Sequence, residues 1–485
     1  MKRNILILML LALGQISACG GGGSDTPTLQ PPPPIGGIGR TGFAYGPITT
    51  FGSIVVNGVR YDTSAADFTI NDSQGSQSDL RVGDVVIVKG SVNSDGVTGT
   101  AETVSFEDAV TGPVQDVDLA LSMLVVMGQT VLVGPDTSFD DSFAIGSLEG
   151  VAVGTIVEVS GQYNAGGDII ATRIEPKPAG TQFEVHGMVS GLNGGASTFQ
   201  INDLVVDYGA AMLDNFPGGQ IANGDFVEAK GNSLGAANEL IATSVELEGV
   251  LPAVDDGDFG EIEGFITRFA SAQDFDVAGF PVTTDGNTVF EGGTASDLGL
   301  NIKVEAEGSV NSAGVLVATK IDIRRAKAVR ATAVLDSVNA GAESVVLLGI
   351  TVTVDNLTRL EDKSDARVEP LTVADLNAGD YVEVRGDEFP AGSGTILATI
   401  LERDDPDTET ILQGFVESVS NPSLTILGVT IETGPGTVFR DENDAVISSA
   451  EFFNRLADND LVKAEGTETS ATVITAEEVE FELEL

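Results

Sequence analysis

The chain has one cysteine, Cys19, and one histidine, His186, among 485 residues. With a single imidazole, a Ser–His or Cys–His triad cannot be repeated along the chain. A zinc site of the Cys/His type is excluded by count. His186 precedes Gly187 in a strand-like segment and is read as a satisfied or surface strand residue, not as a ligand. Carboxylates remain, with Asp and Glu totalling 73. They gather in DDGDFGE (255–261), RDDPDTE (403–409) and RDEND (440–444). Calcium takes six to eight oxygens and favours such loops. None of the three carries the twelve-residue ladder with a closing Glu, and the run from Asp441 puts Phe452 at its twelfth place. No metal and no cofactor are expected, with calcium in the acidic loops as the alternative. Paired carboxylates could serve a glycosidase, but among so many acids a close pair says little, and no Trp offers a sugar platform. Arg385–Asp387 spells RGD, an adhesion tripeptide that falls on a repeated strand end. GIGRTG (37–42) matches a dinucleotide fingerprint but follows polyproline instead of a strand, so no helix N-terminus faces a phosphate.

The segment around Cys19 explains the lone thiol. Lys2 and Arg3 precede an apolar run, Ile5 to Leu13, that is short for a bilayer span. This is the layout of a secretory signal peptide. Ile16-Ser17-Ala18-Cys19 resembles the lipobox of bacterial lipoproteins, which implies cleavage before Cys19 and its lipidation with acyl chains such as palmitate. Several acyl chains on one residue anchor firmly where a single chain does not. Gly20 follows the cysteine where an Asp would favour retention, so the resemblance implies the outer membrane. Gly20 to Gly23 and Pro31 to Pro34 then make a flexible, partly extended tether.

The formal net charge is −49. Such a field repels phosphate backbones, so no nucleic-acid partner is expected. The expected partners are the membrane, through the anchor, and an unknown protein or glycan. Val, Ile, Thr and 59 Gly dominate over helical periodicity. The class is all-β with many turns.

Those turns belong to six copies of one unit. The element Gly-x-x-Val-x-Val-x-Gly starts at Gly83, Gly154, Gly224, Asn301, Gly379 and Asn459, spaced by 71, 70, 77, 78 and 80 residues. It closes at Gly90, Gly161, Gly231, Gly308, Gly386 and Gly466. Asn stands where the first Gly is lost, the next best residue for a left-handed backbone. Ten to twelve residues later a second strand carries Ala101, Ala171, Ala242, Ala318, Ala398 or Ala476, a small residue that implies a close neighbour. Upstream lies a hairpin with a tight turn, Asn57-Gly58 in the first copy. Before it comes an opening strand with Gly46, Gly112, Gly187, Gly264 or Gly414, and Ala333 in the fifth copy. Five strands per unit, with room for a short helix before the fourth, suit a small closed barrel of OB-like order. ISSAEFFNRL (447–456) is the best helix candidate. A chain of small open sandwiches is the alternative.

GPITTFGSIVVNGVRYDT (46–63) resembles the opening of the bacterial lipoprotein family known as domain of unknown function 5666, and the likeness runs over roughly 43–483. It implies repeated barrels in a secreted or outer-membrane protein and carries no catalytic residues. The expected architecture is a signal peptide (1–18), a lipidated tether (19–42) and six tandem five-stranded OB-like barrels (43–108, 109–178, 182–249, 259–325, 326–403 and 409–485). The expected function is non-enzymatic: a lipid-anchored cell-envelope protein presenting barrels in series for binding, adhesion or spacing. No nucleophile or base is read as recurring at a fixed repeat position. An oligosaccharide-binding lipoprotein and a carboxylate-dependent hydrolase are the alternatives.

Overall fold

The computed structural model describes residues 40–482 except 52, 120, 144, 249–253, 325–328, 356–357, 369, 390–391, 443–444 and 459. The signal segment, Cys19 and most of the tether lie outside the described residues, as does Asn459. The opening strand of barrel one starts at Arg40, inside the stretch read as tether, because Gly42 pairs with Phe259 of barrel four.

Each unit closes a ring of five strands. In barrel one they are Arg40–Thr50, Ile54–Val56, Val59–Asp62, Val85–Val92 and Thr98–Phe106. The opening strand pairs antiparallel with the second and the fourth. The second pairs with the third, the third runs parallel to the fifth, and the fifth returns antiparallel to the fourth. The same five pairings close barrel two, barrel four and barrel six. They also close barrel five and barrel three, whose opening strand is split into Phe183–Met188 and Ser190–Asn193. Closure with one parallel contact is OB-like order and leaves no unpaired edge within the ring.

Three recurring backbone devices make the ring. In the hairpin, Asn57 and Gly58 have φ 51° and 78°, both left-handed, as a type I′ turn requires. Met127, Ala278, Leu348 and Leu427 occupy the Asn57 position in other barrels at φ 47–53°. Met127, Leu348 and Leu427 are buried there. A Cβ on Gly46 would collide with Asn57, one on Gly112 with Met127, and one on Gly264 with Ala278. Before the fourth strand, Gly83, Gly154, Gly224, Asn301 and Gly379 have φ between 65° and 99°. Their N–H groups donate to the opening strand at Ile48, Val114, Val189, Ile266 and Leu335. Finally, the register shifts at Gly90, Gly161, Gly231, Gly308, Gly386 and Gly466, each a bulge opposite the repeated alanine. A side chain at any of them would run into the carbonyl of the residue before that alanine.

The connector before the fourth strand carries a 3-10 turn in barrels one to five, as at Gln77–Asp79. In barrel six it carries the α-helix Ser449–Arg455, within the segment expected to be helical. Ser448 caps it by accepting from the Glu451 N–H at 3.2 Å. Phe452 is fully buried there against Phe439, Phe453 and Phe481.

The barrels are tandem in sequence but not strung in series. Barrels one and four share a sheet through parallel pairing of 42–45 with 259–262. Barrels two and three share one through antiparallel pairing at Val110–Val185. Barrels five and six share a third, through Arg330–Gln413, Ala331–Leu412 and Thr332–Ile411. The three sheets also touch one another. The Ser160 hydroxyl of barrel two accepts from the Val85 N–H of barrel one, and Gln162 donates to the Glu263 carbonyl of barrel four. Arg367 of barrel five pairs with Asp141 of barrel two.

Candidate functional site

Strand alternation decides what lies between the barrels. Val185 and Val227 point into barrel three and are fully buried in its core. Their neighbours Glu184, His186 and Glu228 therefore point outward. They are nonetheless buried, because barrel two and the 107–108 linker cover that face. His186 is 5 % exposed, so the surface alternative for it does not apply. Its Nδ1 lies 3.0 Å from Glu248 Oε2, and its Nε2 lies 3.1 Å from Glu184 Oε1 and 3.7 Å from Glu228 Oε1. Lys230 sits 2.6 Å from Glu228 and 2.6 Å from Asp72 of barrel one. Asp108 completes the cluster. Thr111 donates to one of its oxygens, while its Oδ1 is buried without a hydrogen-bond partner.

The electrostatics follow from burial and pairing. Burial alone would lower the His186 pKa, but hydrogen bonds to Glu184 and Glu248 outweigh it and hold the imidazole well above its usual range. Burial and the adjacent Glu184 push Glu228 up. Glu184 itself is held down, against burial, by His186 and Glu228. Burial, reinforced by Glu184 and Glu158, raises Asp108 well above a carboxylate's ordinary value.

A second cluster lies in the seam between barrels one and four. Glu261, Glu305 and Glu307 approach one another there. Glu261 closes the acidic run 255–261 and is buried. Arg324 pairs with Glu305, and Lys320 lies 2.8 Å from Glu307. Asn57 donates to the Tyr45 carbonyl and reaches the Glu261 carbonyl at 3.4 Å, tying the barrel-one turn to this seam. In barrel five, Arg403 of the run 403–409 pairs with the buried Asp362. Of RGD, Arg385 pairs with Glu383 and Gly386 forms the bulge. In the run 440–444, residues 443 and 444 lie outside the described residues, and the Asp441 N–H donates to the Ala445 carbonyl.

One reading of the sequence needs correction. A base does recur at a fixed position of the Gly-x-x-Val-x-Val-x-Gly element: Glu158, Glu228, Glu305 and Glu383 fill the place between the two apolar residues. Barrel one has Ile87 and barrel six Lys463 there. Glu184 and Glu261 likewise share a place, three residues before Gly187 and Gly264. The signal was in the repeat alignment. It was hidden because outward strand positions read as solvent-facing until the neighbouring barrel is known.

The fold and its seams thus define the class: a multi-barrel array of closed, five-stranded OB-like units. The family model for the domain of unknown function 5666 matches residues 45–105, 111–175, 186–246, 263–322, 332–402 and 413–480. The chain belongs to that family. No curated protein matches the sequence. Among solved structures, drosophila Unr CSD456 is similar at 13 % identity over 44 % of this chain and 98 % of that chain. Its TM-score of 0.15 adds nothing to the fold assignment.

Proposed function

We propose that the protein is a lipid-anchored component of the bacterial outer membrane, held through Cys19, which presents its barrels as a non-enzymatic scaffold for a protein or glycan partner. The observation that carries this reading is that one set of structural residues builds all six barrels, and three shared sheets then join them. Such a body suits holding a surface at a set distance from an anchor. The acidic field suits solubility and disfavours nucleic acid as a partner. Among the described residues no helix is long and apolar enough to cross a membrane. Palmitate labelling of the full chain and of Cys19→Ala tests the anchor: label and outer-membrane recovery are expected for the first and lost in the second. Cross-linking in intact cells should then trap an envelope partner. Catalytic turnover abolished by one point substitution would overturn the scaffold reading.

A further inference from the structure

We propose that the seam between barrels two and three is a proton-operated latch, closed while His186 is an imidazolium and opened when alkali removes that proton. The hydrogen bonds assign the charge. His186 Nδ1 lies 3.0 Å from Glu248 Oε2, and its Nε2 lies 3.1 Å from Glu184 Oε1. An ionised carboxylate only accepts, and a neutral imidazole donates from one nitrogen, so the doubly protonated ring alone makes both contacts. Against the burial that would lower it, these bonds hold the imidazole well above its usual range.

The ring sits among acids from every element packed on it. Glu184 shares its strand, Glu228 and Lys230 stand on Phe226–Leu234, and Glu248 follows Leu240–Leu247. Glu107 and Asp108 come from the linker, Glu158 from barrel two and Asp72 from barrel one. Lys177 answers Glu158 at 3.0 Å, and Lys230 answers Glu228 and Asp72 at 2.6 Å each. Glu184 and Glu248 both contact the imidazolium, so its proton is the charge they lose in alkali. Removing one partner from buried charges is costly. The main-chain hold across the seam is slight by comparison. Val110 pairs with Val185 and Thr111 with Glu184, and the His186 N–H donates to the Ala109 carbonyl at 3.4 Å. Tyr163 Oη reaches the Ala109 and His186 carbonyls at 3.2 and 3.3 Å, and burial holds that phenol neutral well beyond its ordinary 10.0.

The seam between barrels five and six has the same antiparallel register but a different cation. Val110 meets Val185 two residues before Gly112 and Gly187, and Ala331 meets Leu412 two residues before Ala333 and Gly414. Glu383 fills the repeat place of Glu228, and Arg330 fills the place of Glu184. Arg330 lies 2.7 Å from Glu383, and Arg385 pairs with the same carboxylate. A guanidinium keeps its charge where an imidazolium gives it up. The second seam therefore lacks the switch and serves as its control.

A raised imidazole contributes in full below its ordinary 6.5 and is lost as pH rises through its folded-state value. Between those values closure weakens roughly tenfold per pH unit. Amide exchange on the full chain reads both seams in one sample, so their ratio cancels the chemical rate. From pH 7 to pH 9, exchange at 110–111 and 184–186 should rise about tenfold or more against exchange at 331–332 and 411–412. His186 is the sole histidine, so its NMR signals give the imidazole pKa without any substitution. Glu248→Gln changes a residue at the rim of the cluster and should lower that pKa and the pH of opening together. His186→Gln should open the seam already at pH 7 and flatten its response. An imidazole that titrates near 6.5, two seams that respond alike to alkali, or a Glu248→Gln pKa shift that leaves seam exchange unmoved would overturn the proposal.

Discussion

Glu261 and Glu402 are both buried carboxylates, and their surroundings push them in opposite directions. Burial, then Glu305 and Glu307, raise Glu261 well above its ordinary value of 4.5. A raised carboxylate is comfortable while protonated, so its contribution is intact below pH 4.5 and is lost as pH rises through the folded-state pKa. Glu261→Gln should therefore raise the melting temperature at pH 8 and leave it nearly unchanged at pH 4. A melting curve at each pH checks this, and an equal effect at both would contradict it. Glu402 lies 2.6 Å from Arg359 and 2.9 Å from Lys363, which hold it below 4.5 against burial. Its contribution is present above pH 4.5 and fades as pH falls through the lowered pKa. Glu402→Gln leaves two cations short of a partner and should cost roughly 3 kcal/mol at neutral pH, measured by urea unfolding.

Among the elements, the bulge and the helix give the sharpest tests. Gly386 faces the Leu397 carbonyl so closely that a Cβ would displace backbone. Gly386→Ala should cost about 1–3 kcal/mol and destabilise barrel five before the others, visible as faster amide exchange along Thr395–Asp404. Gly154 has open space around a Cβ, so Gly154→Ala should cost only the left-handed backbone strain, about 1–2 kcal/mol. Phe452→Ala should remove roughly 3–5 kcal/mol from barrel six. These devices were legible in the sequence because each is local: a left-handed turn, a bulge and a half-buried alternation need only neighbouring residues. The inward side chains of Met127 and Leu427 were not, since a bulky residue at positive φ contradicts ordinary turn chemistry. At Met127 it holds because the side chain fills the space that Gly112 of the opening strand leaves. The buried face of Glu184, His186 and Glu228 was not legible either. Its burial depends on a second barrel, and alternation alone assigns it to water.

At the scale of the whole molecule, charge and partnering dominate. Self-repulsion from a net charge of −49 opposes compaction. Raising NaCl from about 20 to 500 mM, where the screening length falls from roughly 20 to 4 Å, should raise the melting temperature, as calorimetry can show. The choice of partners was beyond sequence reading, because every unit joins its mate through its opening strand, by backbone hydrogen bonds that any residue can supply. Nothing local says that barrel one chooses barrel four while barrel two chooses its neighbour. That choice imposes a timetable on synthesis. Barrels two and three can meet as soon as both have emerged, as can five and six. The strand at 42–45 must wait, its hydrogen-bonding edge bare, until residues 259–262 leave the ribosome or the translocon. The first barrel made thus waits longest for its mate, and it is the one that newborn chains have most need to shield from strangers.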